Sequence, residues 1–113
     1  KGILNRSLFK KLARNGVLAG PIVINAGRGG LQFEDDIVAA LDDETLKAVT
    51  LDVFNTEPLP QDHPLWSHPK ATITPHNAAD SDPDAISDYV VAQINAYERG
   101  EPLQNVVDRD RGY

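Results

Sequence analysis

The sequence predicts an α/β fold with a parallel sheet of about three strands flanked by helices. Short apolar runs rich in β-branched residues alternate with segments whose apolar residues recur at helical spacing. Strands separated by helices pair in parallel, because the chain must cross back over the sheet before it enters the next strand. With 113 residues, of which 41% are hydrophobic and 25% charged, the chain is long enough for one globular domain.

The first two predicted elements are a helix and a buried strand. Asn5 is a favourable N-cap, and Asn15-Gly16 tolerates the left-handed backbone that ends a helix, so a helix is predicted between them. The run 21–25 is apolar without alternation, which predicts a strand buried on both faces. It leads into a glycine-rich turn at 26–30. The apolar stripe of the helix comprises Leu8, Phe9 and Leu12.

A second helix and two more strands follow. Acidic residues at 34–36 occupy the predicted first turn of this helix, where the helix dipole favours anions. Strands are predicted at 48–54 and 71–74. The segment 55–70 between them carries four prolines and no periodicity, which predicts a long loop. The apolar stripe of the second helix comprises Ile37, Val38 and Leu41.

The last predicted helix has clear boundaries in the sequence. Asp82 can cap it, Pro83 suits its first position, and Gly100 ends it. The tail at 101–113 ends in charged residues and is predicted to be irregular. The apolar face of the helix comprises Ile86, Val90, Ile94 and Tyr97.

Composition argues against several classes of partner. Eleven lysines and arginines against 17 aspartates and glutamates give a net charge of −6, which disfavours nucleic acid. No apolar run is long enough for a membrane helix, and the absence of cysteine is consistent with a reducing, cytoplasmic compartment.

The chain holds no methionine, even at position 1. It is therefore expected to be either trimmed at its N-terminus or a piece of a longer protein.

Candidate functional residues follow the three predicted strands. Arg28 follows the first strand in a glycine-flanked turn, Glu57 follows the second, and His76 follows the third directly after Pro75. Ligands of parallel α/β sheets bind beyond the carboxyl ends of the strands, so we expect this cation, carboxylate and imidazole to converge there. Each residue taken singly also suits an ordinary role, as a solvated arginine, a surface carboxylate or a structural loop histidine.

Metal and phosphate sites are disfavoured by the sequence. His63 and His68 lie with Asp62 in one loop, but their spacing does not match a helical zinc pair and no cysteine completes a site. No metal is therefore predicted, and Trp66 is expected to pin this loop by packing on the core. The run Gly27-Arg28-Gly29-Gly30 lacks the lysine of a phosphate-binding loop and is not a dinucleotide fingerprint.

Four motifs, in order along the chain, are similar to those of one enzyme family. They are Asn25-Ala26-Gly27-Arg28-Gly29, Leu51-Asp52-Val53-Phe54, Glu57-Pro58-Leu59-Pro60 and Thr74-Pro75-His76-Asn77-Ala78-Ala79. Together they resemble the second half of the nucleotide-binding domain of D-isomer-specific 2-hydroxyacid dehydrogenases. Two further stretches, His63-Pro64-Leu65-Trp66 and 106–113, resemble the glyoxylate/hydroxypyruvate reductase branch of that family.

The resemblance implies a particular domain organisation. Residues 1–100 would form the C-terminal half of a Rossmann-like NAD(P)-binding domain, and the tail at 101–113 would return to a substrate domain outside this sequence. The glycine fingerprint and the residue that selects between NAD and NADP would belong to the first half, which this sequence lacks. The implied cofactor is NAD or NADP, with NADPH favoured by the branch.

The resemblance also implies roles for individual residues. His76 would protonate the forming alkoxide, Glu57 would bind the other ring nitrogen and stabilise the imidazolium, and Arg28 would hold and polarise the keto acid. Asp52 would lie near the nicotinamide carboxamide. The implied catalytic residues are Arg28, Glu57 and His76. The implied cofactor-binding residues are Asn25, Ala26, Gly27, Arg28, Asp52, His76 and Ala78.

More than one interpretation of function stays open on the sequence. The first is a fragment of an oxidoreductase that transfers a hydride between NAD(P)H and a small 2-keto or 2-hydroxy acid. Its parent would be a homodimer that binds the keto acid and the nicotinamide cofactor, without nucleic-acid or membrane partners, and the chain alone would be inactive. The alternative is a non-catalytic binding or interaction module, or an inactive remnant, derived from the same family.

Overall fold

The computed structural model describes residues 1–111, which fall into two compact units: Lys1–Ala79, and a second unit that begins at Asp80. Gly112 and Tyr113, at the end of the predicted tail, lie outside the described residues. In the first unit the helices are α1 (Arg6–Phe9) and α2 (Glu34–Asp42), and the strands are β1 (Ile22–Asn25), β2 (Ala48–Leu51) and β3 (Ala71–Ile73). Short 3₁₀ turns occupy Gly29–Leu31 and Pro64–Trp66.

The three strands form one parallel sheet in the order β1-β2-β3, which confirms the predicted α/β fold. Val23 pairs with Val49, and Leu51 pairs with Ile73, so these side chains share one face of the sheet. The same face meets both helices. The core that results includes Phe9, Val23, Ile37, Leu41, Val49, Leu51 and Leu65, with Ala71 and Ile73 packed against it.

The first strand alternates between buried and exposed residues, so the prediction that both of its faces are buried was wrong. Val23 and Asn25 point into the core, whereas Ile22 is exposed and Ile24 is 71% exposed. Within residues 1–79, the side chains that α1 and α2 contribute to the core cluster with Val23. The apolar run could not reveal this arrangement, because it specifies a strand without specifying what covers each face.

The first helix is shorter than its apolar spacing predicted. Asn5 caps it as expected, since its Oδ1 accepts a hydrogen bond from the Leu8 amide at 3.1 Å. After Phe9, the amides of Lys11 and Leu12 bond carbonyls three residues back, and the segment continues as turns. The strands are also shorter than predicted, because the chain leaves β2 at Leu51 and β3 at Ile73.

The long loop is anchored to the core by a different residue from the one expected. Leu65 is buried, whereas Trp66 is 53% exposed and its indole N–H donates to the Pro60 carbonyl at 2.8 Å. The expectation that Trp66 packs on the core was therefore wrong. A 3₁₀ turn places adjacent side chains on different sides, so only one of these two neighbours can face inward.

The second unit contains α3 (Pro83–Glu98), whose boundaries agree with the sequence prediction. Asp82 caps the helix by accepting from the amides of Asp84 and Ala85, and Gly100 follows it with a φ of 68°. The predicted apolar face at Ile86, Val90, Ile94 and Tyr97 is exposed. Within residues 1–111, no helix is long and apolar enough to cross a membrane.

Candidate active site

Three functional candidates follow the carboxyl ends of adjacent parallel strands. Because the strands run in the same direction, Asn25, Leu51 and Ile73 end at one edge of the sheet. Arg28, Glu57 and His76 lie on the segments that leave this edge. Open α/β sheets bind their ligands at this edge, which makes it the candidate site.

Glu57 and His76 form a hydrogen-bonded pair. Nδ1 of His76 lies 2.7 Å from Oε2 of Glu57, and the Phe54 amide donates to Oε1 of Glu57 at 2.8 Å. The bond from His76, followed by that from Phe54, lowers the pKa of the Glu57 carboxyl below its usual value. An ionised carboxylate can only accept, so Nδ1 of His76 carries the shared proton. This arrangement leaves Nε2 available to a bound molecule.

The backbone at His76 is held in a strained conformation. Its φ is 53°, in the left-handed region that residues with a Cβ seldom occupy. Such conformations persist only where surrounding contacts impose them, and they concentrate at functional sites. The contacts that impose this one come from the end of β2.

Asp52 anchors the turn that carries His76. Its Oδ1 accepts from the Asn77 amide at 2.9 Å and from the Thr74 hydroxyl, and its Oδ2 accepts from the Ala78 amide at 3.0 Å. The Thr74 hydroxyl first, and then the amides of Ala78 and Asn77, lower the pKa of the Asp52 carboxyl against the opposing effect of burial. Asp52 is only 4% exposed. Sequence reasoning assigned Asp52 to the cofactor and missed this anchoring role, because the partners lie 22 to 26 residues away.

Arg28 stands across the sheet edge from the Glu57–His76 pair. The first and third strands are separated by β2, so their ends are about 10 Å apart at the usual strand spacing. The guanidinium is exposed, and its Nη1 donates to the carbonyl of Gly27 at 2.8 Å. The structure therefore brings Glu57 and His76 into contact and places Arg28 on the same edge without joining it to them.

A buried polar network holds the turn that carries Arg28. Asn25 accepts from the Gly27 amide at 3.1 Å and donates to the Arg28 carbonyl at 3.2 Å and to Oε1 of Gln32 at 2.7 Å. The side chain of Gln32 in turn donates to the carbonyl of Val53 at 2.9 Å. Sequence reasoning did not single out Gln32. The available signal was a polar residue between Leu31 and Phe33, in a segment leading into an amphipathic helix.

Gly29 allows the arginine turn to pack directly on the segment after β2. A Cβ at Gly29 would lie 1.9 Å from the carbonyl oxygen of Phe54 and 2.7 Å from the amide nitrogen of Asn55. Because both obstacles are backbone atoms, a side chain here forces the two segments apart.

We expect Gly29→Ala to destabilise the fold by about 2 kcal/mol or more, since overpacking against backbone typically costs 1–3 kcal/mol. Gly30→Ala is the matched control, because a Cβ at Gly30 meets nothing within 4 Å. The control is expected to be neutral or slightly stabilising. Urea unfolding of both variants measures the difference, and equal stabilities would contradict the close approach at Gly29.

A cavity of about 370 Å³ lies beside the Glu57–His76 pair. Its remaining walls are largely apolar and include Phe54, Leu59, Trp66 and Ile73. A cavity of this volume lies at the small end of the range for small-molecule sites.

The two histidines of the long loop lie near different carboxylates. His63 accepts from the Leu65 amide and lies 4.0 Å from the carboxylate of Glu34, whereas His68 lies 3.4 Å from that of Asp42. In the part of the chain that the structure describes, no three acidic or histidine side chains group as a metal site would require.

The fold and site together define a class of protein. A histidine–carboxylate pair and an arginine lie at the carboxyl edge of a parallel sheet, which is the edge where open α/β proteins bind their ligands. Comparison with known families is more specific. Residues 1–78 match the model of the D-isomer specific 2-hydroxyacid dehydrogenase NAD binding domain, and the chain belongs to this family.

Relatives of known structure or name agree with this assignment. The chain is 50% identical over 112 residues to glyoxylate/hydroxypyruvate reductase A of Serratia proteamaculans, covering 99% of this chain and 34% of the relative. A probable 2-hydroxyacid dehydrogenase from Rhizobium etli, solved with NADP, HEPES and tartaric acid, is 52% identical with a TM-score of 0.89, covering 99% of this chain and 35% of that protein.

A third relative is an NADPH-dependent glyoxylate/hydroxypyruvate reductase from Sinorhizobium meliloti, solved with NADP and sulfate. It is 48% identical with a TM-score of 0.91, covering 100% of this chain and 36% of that protein. The chain thus spans about a third of the length of these relatives. The resemblance predicted from the four motifs is confirmed.

Proposed function

We propose that this chain supplies the acid–base edge of an NADPH-dependent reductase of small 2-keto acids, of the glyoxylate/hydroxypyruvate type. The observation that carries the proposal is the 2.7 Å contact between His76 and Glu57 at the carboxyl edge of the sheet. A histidine oriented by a carboxylate is suited to proton transfer at neutral pH. Two of the relatives named above, from Serratia proteamaculans and Sinorhizobium meliloti, are glyoxylate/hydroxypyruvate reductases, which supports the choice of reaction. The Rhizobium etli and Sinorhizobium meliloti structures contain NADP, which supports the choice of cofactor.

The residues at this edge fit a nicotinamide cofactor. Ala26, Gly27 and Arg28 are exposed at the end of β1, so small side chains and a turn border the space where a flat ring would lie. The Oδ2 atom of Asp52 accepts one hydrogen bond, and it retains capacity for a carboxamide N–H. Asn25, Asp52, His76 and Ala78 complete the proposed cofactor edge. When bound, the cofactor would supply the hydride.

We propose a separate role for each of the three residues at this edge. Arg28 binds the carboxylate and keto oxygen of the substrate with its planar fork and polarises the carbonyl. Nε2 of His76 gives its proton to the oxygen as negative charge develops there, and Nδ1 remains bonded to Glu57. Glu57, fixed by the Phe54 amide, stabilises the imidazolium before transfer and sets the orientation of the ring.

The test uses a full-length chimera in which this chain replaces the region of the Serratia proteamaculans reductase that it aligns with. We expect the chimera to reduce glyoxylate and hydroxypyruvate with NADPH. An inactive chimera beside an active Serratia enzyme would contradict the proposal and favour a non-catalytic module.

The homodimeric state, the cytoplasmic location and the domain boundary at residue 100 stay predictions. Light scattering of the chimera tests the homodimeric state.

Glu57→Gln in this chimera is expected to change the pH profile of the reaction. The neutral amide no longer places a negative charge beside the ring, so we expect the fall in reduction rate with rising pH to begin at a lower pH. Measuring kcat across a pH series for both proteins checks this. Glu44→Gln, an exposed carboxylate beside Lys70, is the control and should leave the profile in place. An unshifted profile in Glu57→Gln would remove Glu57 from the acid–base step.

A further inference from the structure

We propose that Gln32 is a positioning residue that sets the separation between Arg28 and the Glu57–His76 pair. The inference rests on the proposed function, because it concerns how the same site is assembled. Gln32 lies just before α2, is 2% exposed, and has no place in the sequence motifs discussed above.

The side chain of Gln32 joins the two segments that carry the functional groups. Its Oε1 accepts from Asn25, which binds the carbonyl of Arg28 with the same side-chain nitrogen. Its Nε2 donates to the carbonyl of Val53 at 2.9 Å. The side-chain amide of Gln32 thus connects the turn after β1 with the segment after β2. Val53 directly precedes Phe54, whose backbone amide binds Glu57.

Further contacts make the connection stiff. The Asn55 side chain donates to the backbone carbonyl of Gln32 at 3.2 Å, and the Asn55 amide donates to Oε1 of Glu34 at 2.8 Å. Gly29 meets the Phe54 backbone on the same side. Because the side chains of Gln32 and Asn25 are buried and paired, the two segments cannot slide without leaving these polar atoms unsatisfied.

The amide of glutamine is the group that this position requires. It must accept from Asn25 and donate to a backbone carbonyl at the same time, and a carboxamide does both in one plane. A carboxylate keeps the acceptor but loses the donor. A methionine keeps the approximate length and volume but loses both.

The test measures Gln32→Met and Gln32→Glu in the full-length chimera. Misplacing a catalytic group by about 1 Å can cost about 100-fold, so we expect kcat/KM for the keto acid to fall about 10- to 100-fold in both. Thr45→Val is the matched control, since Thr45 is also a buried polar residue but lies before the amino end of β2. It should leave kcat/KM nearly unchanged at a comparable loss of melting temperature.

A double-mutant cycle separates positioning from general destabilisation. If Gln32 acts through Arg28, Gln32→Met should cost little further activity once Arg28→Lys is present, whereas independent effects would multiply. Multiplying losses, or full activity in both Gln32 variants, would overturn the inference while an active parent chimera leaves the proposed function standing. An inactive parent chimera would overturn the proposed function, and this inference with it.

Discussion

His76→Asn in the full-length chimera is expected to lower kcat for keto-acid reduction about 100- to 10,000-fold, the usual contribution of general acid–base catalysis. The Nε2 proton of His76 would reach the substrate oxygen only as charge develops there, so its loss removes stabilisation of the transition state rather than of the bound substrate. Asparagine has no group that loses a proton near neutral pH. Because the lost stabilisation belongs to the transition state, the dissociation constant for NADPH should change much less than kcat.

The measurement is steady-state reduction of hydroxypyruvate together with an independent titration of NADPH. His68→Asn is the matched control, because His68 lies near Asp42 and its Nδ1 accepts from the Lys70 amide, a bond that asparagine can replace. The control should retain nearly full turnover. Near-normal kcat in His76→Asn over the whole pH series would remove His76 from the mechanism.

Arg28→Lys is expected to lower kcat/KM about 100- to 1,000-fold, the range observed when one donor to a developing oxyanion is removed. Lysine keeps the positive charge but lacks the planar fork that binds a carboxylate at two points. Both affinity and rate should suffer, because the proposed contact exists in the bound substrate and strengthens as the carbonyl is polarised. We therefore expect a raised KM as well as a lowered kcat.

The same assay with Arg14→Lys provides the comparison for Arg28. Arg14 is exposed and its side chain reaches only the carbonyl of Glu44, at 3.4 Å. This control should behave as the parent chimera does. An Arg28→Lys enzyme with an unchanged KM would show that the substrate carboxylate is held elsewhere, and the proposed role of Arg28 would then be limited to the keto oxygen.

Much of the fold was predictable because its signals are local. The caps at Asn5 and Asp82 act on amides two or three residues away, and the acidic first turn and apolar stripe of α2 lie within one helix. Strand–helix alternation was enough to predict a parallel sheet, and parallel strands carry the following segments to one edge. The placement of Arg28, Glu57 and His76 at that edge followed from these steps.

The errors concern surfaces and distant contacts. The run at 21–25 predicted a strand correctly but gave no information on its two faces, and Ile24 is exposed. Trp66 was expected to enter the core because of its size, whereas the 3₁₀ turn directs Leu65 inward. In both cases the sequence showed which residues are apolar, but it did not show which neighbours would cover them.

The order of the elements, the family and the three residues at the edge of the sheet were predictable from the amino-acid sequence. Two further features became visible only in the folded chain: Asp52 anchors the His76 turn, and Gln32 links the Arg28 turn to Val53. These bonds join residues 21 to 26 positions apart, through carboxylate and amide groups that many loops contain. Local propensity depends on neighbours within a few positions, whereas such bonds depend on the path of the whole chain, which brings a buried donor to a particular acceptor.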